Sequence, residues 1–398
     1  MLRKSAFYDF LDRRSDSDFA SFLASSAEDQ DYIDWNGFLM PMHYGDAELE
    51  YFAIREGCAM CDVSPMRKIR IRGKNAGAFF DRLLTRPVSG LAAMQATYTI
   101  LCNDDGNLKD DAILYKLAED DYLMMPSDVD HSPYFATVCQ RFDIGDVEFI
   151  ECTDAWVGVA LQGPQSADVL KDMGFADVEL LEPFSVREYD FANATILVAR
   201  MGFTADLGYE CWLKPEQVDQ FCTAITNVRS SRNIALPGYG LDALQACRLE
   251  GGFIVAGWDC STEIDPQPGF ERTPYELGLG WLVNLDANDF VGREALITQK
   301  ENGPNWVLRS FSFDENKQPD DGAPLYADGE NESIGQINCS NWSWGLQKMI
   351  GNASIRARHR VLDNAWVEIG GARVEVTLSR GPHITLERRN RVPANTIS

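Results

Sequence analysis

Alternation of apolar and polar residues predicts a chain built from short strands with helices between them. The segment 68–73 alternates residue by residue, as a half-buried strand does. The segment 75–85 instead places apolar residues at positions 79, 80, 83 and 84, which is helical spacing. The segments 96–117 and 194–213 each predict a hairpin, because two apolar-rich strands flank a Gly-containing turn.

The remaining patterned segments continue this mixture of strands and helices. Segment 120–128 predicts a strand, 155–173 predicts a strand, a Gly-Pro turn and a helix, and 215–228 predicts another helix. Hairpins interspersed with single helices favour layered α+β domains over a doubly wound parallel sheet.

Length and patterning together predict three regions. At 398 residues the chain is too long for one ordinary core. Residues 1–35 are polar, and we expect a helical lead-in there. A charged, Pro-containing stretch at 314–333 precedes strongly alternating sequence, so we place a domain boundary near 305. The predicted regions are 1–35, an α+β region at 36–304 and an all-β barrel or sandwich at 305–398.

The charge balance restricts the classes of partner. The formal net charge is −25, from 36 basic and 61 acidic residues, and this excess of negative charge argues against nucleic acid or anionic membranes as partners. No apolar run is long enough to span a bilayer, and the N-terminus has no apolar core of signal-peptide type. We therefore expect a cytoplasmic protein.

Cysteine and histidine usage does not predict a metal centre. The ten cysteines are scattered, mostly in apolar segments where a free thiol acts as a small hydrophobic group. Cys58 and Cys61 form a lone CxxC pair without a second pair, and the four histidines are not spaced as ligands on a helix. We expect no metal site.

Two acidic features are candidates for chemistry. Asp110 and Asp111 open a predicted strand, so their side chains point to opposite faces, and one of them can enter a cleft lined by Tyr98 of the neighbouring strand. Glu210 lies in a hairpin between aromatic residues, where its two oxygens suit the paired N–H donors of a 2-amino-4-oxo pterin ring. Ordinary turn chemistry and a solvent-exposed hairpin are the structural alternatives for these two features.

Arg248 is a third candidate. It lies in a predicted amphipathic helix, where an arginine commonly forms a salt bridge or extends to solvent, but it can also donate to a ligand carbonyl. No nucleophile elbow, dinucleotide fingerprint or Walker loop occurs in the chain. The common hydrolase and nucleotide-binding functions therefore lack support.

Six motifs, in this order, resemble the glycine-cleavage T-protein family of tetrahydrofolate-dependent aminomethyl- and methyltransferases. The resemblance runs from about residue 36 to the C-terminus. The motifs are GFLMPMHYGDAELEYFAIREGCAMCDVSPM (37–66), NDDGNLKDDAILY (103–115), ALQGP (160–164), GFTADLGYE (202–210), CRLEGG (247–252) and TPYELGLGWLVNLDANDFVGREAL (273–296).

The resemblance implies a fold, a cofactor and site residues. It implies a three-domain cloverleaf with tetrahydrofolate in a central hole. It implies that Asp110 is the catalytic carboxylate near the folate N5 and N10 atoms. The residues implied to contact folate are Glu210, Arg248, Tyr98, Met66, Phe203 and Trp281.

The chain departs from the family pattern at several positions near the implied site. The departures are Pro65, Phe203, Ala205-Asp206, Pro126, Leu244-Gln245 and Trp344. Folate-dependent demethylases of the family, such as dimethylsulfoniopropionate demethylase, vary there and share a Ser-Asp pair similar to Ser127-Asp128. We therefore expect a demethylase that moves a methyl group from a small sulfonium or methylated amine to tetrahydrofolate.

Two alternatives remain open. One is the aminomethyltransferase of the glycine-cleavage system, which would use a lipoyl carrier protein as its partner. The other is a non-catalytic folate-binding protein, although its Lys-Gly-Cys-type motif is absent. For the demethylase we expect an aromatic site for a cationic donor, formed by Tyr44, Trp342 and Trp344.

Overall fold

The computed structural model describes residues 2–12, 32–287 and 289–396. The α-helices within these residues are α1 (Tyr8–Asp12), α2 (Ala47–Glu56), α3 (Ala76–Leu83), α4 (Ser132–Arg141), α5 (Ser166–Asp172), α6 (Val218–Arg232), α7 (Leu241–Glu250), α8 (Arg293–Asn302) and α9 (Glu387–Asn390).

The strands form four antiparallel arrangements. A two-stranded sheet pairs β1 (Tyr32–Trp35) with β2 (Phe38–Pro41). A sheet that we call the Glu210 sheet has the order β10 (Val186–Phe191), β11 (Ala194–Ala199), β12 (Gly208–Leu213), β9 (Val157–Gln162), β3 (Ala59–Asp62). A second sheet, the aspartate sheet, has the order β5 (Gln95–Cys102), β6 (Leu108–Ala118), β7 (Asp121–Pro126), β4 (Ile69–Arg72), β8 (Glu148–Glu151).

The fourth arrangement is a closed C-terminal barrel. Its strands, in spatial order, are β13 (Trp306–Phe313), β16 (Lys348–Arg356), β15 (Gly335–Ser343), β14 (Pro324–Tyr326), β17 (Asn364–Ile369) and β18 (Ala372–Ser379). Alternate residues of these strands fill the barrel with one apolar cluster that includes Phe311, Ile337 and Val367.

The two five-stranded sheets each bury both faces. On the aspartate sheet, Leu114 packs in a cluster with Phe79 and Phe80 of α3, and α3 buries residues at the spacing that its sequence predicts. Tyr115, the next residue, points to the opposite face and shares a second cluster with Trp212 of the Glu210 sheet. This second cluster therefore fills the space between the sheets, which we call the inter-sheet space.

The predicted α+β class is confirmed, and the C-terminal domain is a barrel rather than a sandwich. The predicted hairpins and the helices at 75–85 and 155–173 are present. Within the lead-in expected at 1–35, α1 is helical but residues 32–35 form a strand, and residues 13–31 lie outside the described part of the chain. No helix in the described ranges is long and apolar enough to cross a membrane.

Candidate active site

Asp111 faces the inter-sheet side of the aspartate sheet. Its partner across the ladder is Ile100, and Tyr98 lies diagonally on the same face. The Tyr98 hydroxyl donates a hydrogen bond of 2.8 Å to Asp111 Oδ2. Asp111 is half-buried, and this hydrogen bond fixes the orientation of its carboxylate.

Asp110 points to the opposite face, where α4 covers the sheet. It is 1% exposed, and its Oδ2 atom accepts hydrogen bonds from the Ser127 hydroxyl at 2.6 Å and the Ser127 amide at 3.1 Å. Nε2 of His131, itself fully buried, lies 2.6 Å from the same oxygen. The Asp110 side chain is therefore enclosed by protein groups.

The orientation expected for the two aspartates is therefore reversed. Alternation does send them to opposite faces, as predicted, but the structure turns Asp110 into the helix-covered core and Asp111 toward Tyr98. The register explains this, because Asp110 shares its face with Ala112 and Leu114, both in the cluster beneath α3 and α4.

The environment of Asp111 suits proton transfer. Burial raises the pKa of Asp111 to about 7, and the neighbouring charge of Asp110 acts in the same direction, while the Tyr98 hydrogen bond lowers it. A carboxyl group with a pKa close to neutrality can both accept and return a proton at physiological pH.

Glu210 lies on β12, opposite Ala199 on one side and Ala160 on the other, with its side chain in the inter-sheet space. It is 7% exposed and accepts a hydrogen bond of 3.1 Å from the Tyr115 hydroxyl, which reaches across from the aspartate sheet. Burial raises the pKa of Glu210 to about 7, against the opposing effects of Tyr115 and Trp212. The carboxylate is not on a solvent-exposed hairpin.

The glycines beside Glu210 make room for a side chain. A Cβ atom at Gly202 would lie 2.0 Å from the Gln162 amide oxygen, and one at Gly208 would lie 2.2 Å from it. The buried Gln162 amide in turn donates to the Met201 carbonyl at 3.2 Å and accepts from the Thr204 hydroxyl at 2.8 Å. The two glycines therefore hold the 200–207 loop against β9, which positions Glu210.

Aromatic side chains lie at both ends of the candidate site. Tyr98 and Trp281 have ring centroids 6.5 Å apart, and Trp281 is 63% exposed. The Arg86 guanidinium lies 5.5 Å from the Trp281 ring. Phe203 is also exposed and stacks on Phe253 at 5.3 Å. Both exposed rings are positions that the family resemblance implies for folate contact.

Met66 lies at the edge of the same space. Its side chain packs against the inter-sheet cluster, and its carbonyl accepts a hydrogen bond of 2.7 Å from Lys68 Nζ. Burial lowers the pKa of Lys68 to about 8. The Lys68 amine thus stabilises the turn that presents Met66.

Arg248 does not point into a cleft. It is 1% exposed, and its guanidinium donates to Gln245 Oε1 at 2.8 Å, to the Phe253 carbonyl at 2.9 Å and to Asp259 Oδ2 at 2.9 Å. Its third nitrogen lies 3.1 Å from Cys339 Sγ in the barrel. These contacts join α7 to the barrel, and the folate contact implied by the family resemblance stays a prediction.

The expected aromatic donor site is not assembled. Tyr44 belongs to the cluster on the helix-covered face of the Glu210 sheet, Trp342 packs against the barrel core, and Trp344 packs against the inter-sheet cluster. Trp344 instead pairs with Tyr51 at 5.6 Å. Three side chains on three separate clusters do not form one cage around a cation.

Sequence reasoning missed Tyr115, His131 and Arg86. Tyr115 could have been found, because it follows Asp111 by four residues and strand alternation places both on one face. His131 and Arg86 lie outside the strands, and nothing in their local sequence indicates their neighbours. Among the described residues, no group of three or more His, Cys, Asp or Glu side chains could hold a metal ion.

Comparisons with known proteins identify the family of the chain. The family model described as the GCVT N-terminal domain matches residues 24–287. The aminomethyltransferase of Thermotoga petrophila is 30% identical over 88% of this chain and 93% of its own length. The aminomethyltransferase of Halothermothrix orenii is 31% identical over 81% of this chain and 87% of its own length.

A solved structure shares the fold. The glycine cleavage system aminomethyltransferase T from Bartonella henselae superimposes with a TM-score of 0.81 and 22% identity, covering 96% of this chain and 98% of that one. The matched family model, the curated relatives and the shared fold show that this chain belongs to the glycine-cleavage T-protein family of tetrahydrofolate-dependent transferases.

Proposed function

We propose that the chain is an aminomethyltransferase that passes a one-carbon unit from a lipoyl carrier protein to tetrahydrofolate. The similarity to curated aminomethyltransferases supports this transfer better than the demethylation expected from the motif departures. The observation that carries it is that Asp111 lies on the same face of β6 as Tyr115, whose hydroxyl donates to Glu210.

Glu210 would hold the pterin ring. Its two oxygens accept the parallel N–H donors of the ring edge, while the Tyr115 hydroxyl occupies only one lone pair. Tyr115 lies four residues from Asp111, roughly 13 Å along the strand. An extended folate anchored at Glu210 would therefore point its N5 and N10 atoms toward Asp111.

Asp111 would be the proton acceptor. When N5 attacks the transferred carbon it becomes cationic, and a nearby carboxylate stabilises that charge and accepts the proton. The bond between this carbon and the lipoyl sulfur breaks as N5 attacks, and the sulfur leaves as a thiol that takes up the proton lost from N5. N10 then attacks the same carbon to form the methylene bridge, and the amino group leaves with the N10 proton as ammonia. Tyr98 keeps the Asp111 carboxylate in place through its hydrogen bond. Asp110 would contribute by holding the strand end through Ser127 and His131.

A product assay tests the proposed function. The purified chain is incubated with tetrahydrofolate and either an aminomethylated lipoyl carrier or small methylated donors such as dimethylglycine and dimethylsulfoniopropionate. We expect ammonia and 5,10-methylene-tetrahydrofolate from the carrier. Formation of 5-methyl-tetrahydrofolate from a small donor alone would instead support the demethylase. Folate binding without any product would support the non-catalytic relative.

Replacing Glu210 with Gln is expected to weaken tetrahydrofolate binding roughly 10- to 100-fold, because charge-assisted hydrogen bonds contribute about 1.5–3 kcal/mol. The effect should depend on pH. Below its pKa of about 7 the Glu210 carboxyl holds a proton that competes with the pterin N–H donors, so wild-type affinity should rise as pH increases through that value. In Glu210→Gln, the rise in tetrahydrofolate affinity that comes from ionisation of Glu210 should be absent.

Equilibrium titration of both proteins between pH 5.5 and 8.5 measures this effect. Glu188→Gln is the matched control, since Glu188 is exposed on an outer strand of the same sheet. Equal affinity in the Glu210 variant and the wild type would remove Glu210 from the pterin site.

A further inference from the structure

The guanidinium of Arg86 lies at the exposed end of the candidate site. Arg86 follows α3 and precedes β5, and its side chain reaches the ring of Trp281 at 5.5 Å. Its Nη2 atom donates to the Thr97 hydroxyl at 2.6 Å and to the Tyr98 carbonyl at 2.9 Å. The same Tyr98 carries the hydroxyl that bonds Asp111.

These contacts orient the guanidinium but involve only one of its three nitrogens. Within residues 2–12, 32–287 and 289–396, neither Nε nor Nη1 of Arg86 makes a hydrogen bond, and no carboxylate forms an ion pair with it. Burial lowers the pKa of Arg86. Arg55 and Arg248, by contrast, are each paired with buried carboxylates.

An unpaired, partly buried cation is unusual in a chain whose net charge is −25. Desolvating a guanidinium costs free energy unless a partner compensates it. The cation–π contact with Trp281 supplies part of that compensation. The N–H groups of Nε and Nη1 remain available, and each can donate a charge-assisted hydrogen bond to a carboxylate oxygen.

We propose that Arg86 binds a carboxylate of a ligand at the entrance to the folate site. This inference rests on the proposed function. The closest source is the glutamate tail of tetrahydrofolate, since a folate with its pterin at Glu210 and its N10 atom near Asp111 extends past Tyr98 toward Trp281. A carboxylate on a small one-carbon donor is the other source with the same chemistry.

Binding of two folates separates these sources. Tetrahydropteroate has the same pterin and aminobenzoyl groups as tetrahydrofolate but lacks the glutamate. We expect the wild type to bind tetrahydrofolate roughly 10- to 100-fold more tightly than tetrahydropteroate, as for a charge-assisted hydrogen bond to one carboxylate. In Arg86→Gln the affinity for tetrahydrofolate should fall to that for tetrahydropteroate, whose own affinity should not change.

Two further variants control for indirect effects. Arg82→Gln makes the same chemical change four residues earlier, at an arginine that lies over Phe142 at 5.3 Å and donates to the Asp289 carbonyl, and it should bind both folates normally. Arg86→Lys keeps the charge without the planar fork and should retain an intermediate preference for tetrahydrofolate. It also keeps the test decisive if Arg86→Gln does not fold.

The remaining outcomes are also decisive. One outcome is that Arg86→Gln binds both folates as the wild type does but is inhibited about tenfold more weakly by dimethylglycine in the transfer assay. This outcome would assign the carboxylate to the donor. No change in either measurement would overturn the role of Arg86 while leaving the proposed function intact. Failure of the wild type to bind either folate would overturn the proposed function and this inference with it.

Discussion

Asp111→Asn is expected to lower kcat roughly 100-fold or more, the effect of removing a positioned proton acceptor and its charge. The amide keeps the size of the side chain and its hydrogen bond to Tyr98, but it neither stabilises a cationic N5 nor accepts its proton. Tetrahydrofolate affinity should change much less, because the pterin is anchored at Glu210. Single-turnover kinetics with saturating folate measure the loss.

The pH dependence of kcat at saturating folate gives a second test of Asp111. The carboxylate is the active form, so the rate should rise as pH increases through the Asp111 pKa of about 7. This rise of the rate with pH should be absent in Asp111→Asn. The affinity of Glu210 for the pterin changes over the same range, so the comparison is made at saturating folate.

Asp110→Asn is the matched comparison. It removes the negative charge and one of the two oxygens that accept from the Asp111 amide and from Ser127, so its main effect should be on the free energy of unfolding, by about 1–3 kcal/mol. A larger loss of kcat in Asp110→Asn than in Asp111→Asn would contradict the assignment of Asp111 as the proton acceptor.

Arg248→Met is expected to reduce the free energy of unfolding by about 3–5 kcal/mol, the effect of leaving one member of a buried ion pair without its partner. Asp259 would keep its contacts with the Val255 amide at 2.9 Å and the Asn352 amide at 3.0 Å but would lose its compensating charge. The contact between α7 and the barrel would also lose its contribution from Arg248.

Urea denaturation followed by fluorescence measures this loss. Arg141→Gln breaks an exposed pair with Asp104 and should change the free energy of unfolding by less than about 0.5 kcal/mol. A fall in folate affinity of Arg248→Met without a loss of stability would support Arg248 as a ligand contact.

Local sequence was sufficient for most elements and for Glu210. The period-two alternation at 68–73 predicts β4, and the helical spacing at 75–85 predicts α3. Each pattern is visible in the sequence because each element buries one face of a regular backbone. The Glu210 hairpin was recognised because its family motif is continuous in sequence. The opposite orientations of Asp110 and Asp111 followed from the same alternation.

Only the tertiary structure decided which aspartate is enclosed beneath α4 and which one contacts Tyr98. Alternation specifies that two neighbours point apart, but the face that becomes the core depends on where helices pack. Here α4 brings His131 over Asp110 from 21 residues further along the chain. The opposite face meets the Glu210 sheet, where Tyr115 reaches Glu210 across a separation of 95 residues.

The partners of the long cationic side chains were likewise decided by tertiary structure. Arg248 has the sequence of an amphipathic helix residue, yet its contacts come from a loop at Asp259 and a barrel strand at Cys339. Arg86 meets Trp281 from a different part of the chain. The sequence by itself determined the elements, the family and the residues available for chemistry. Which of them meet was set by packing between distant segments, since a side chain's neighbours depend on contacts that local periodicity does not encode.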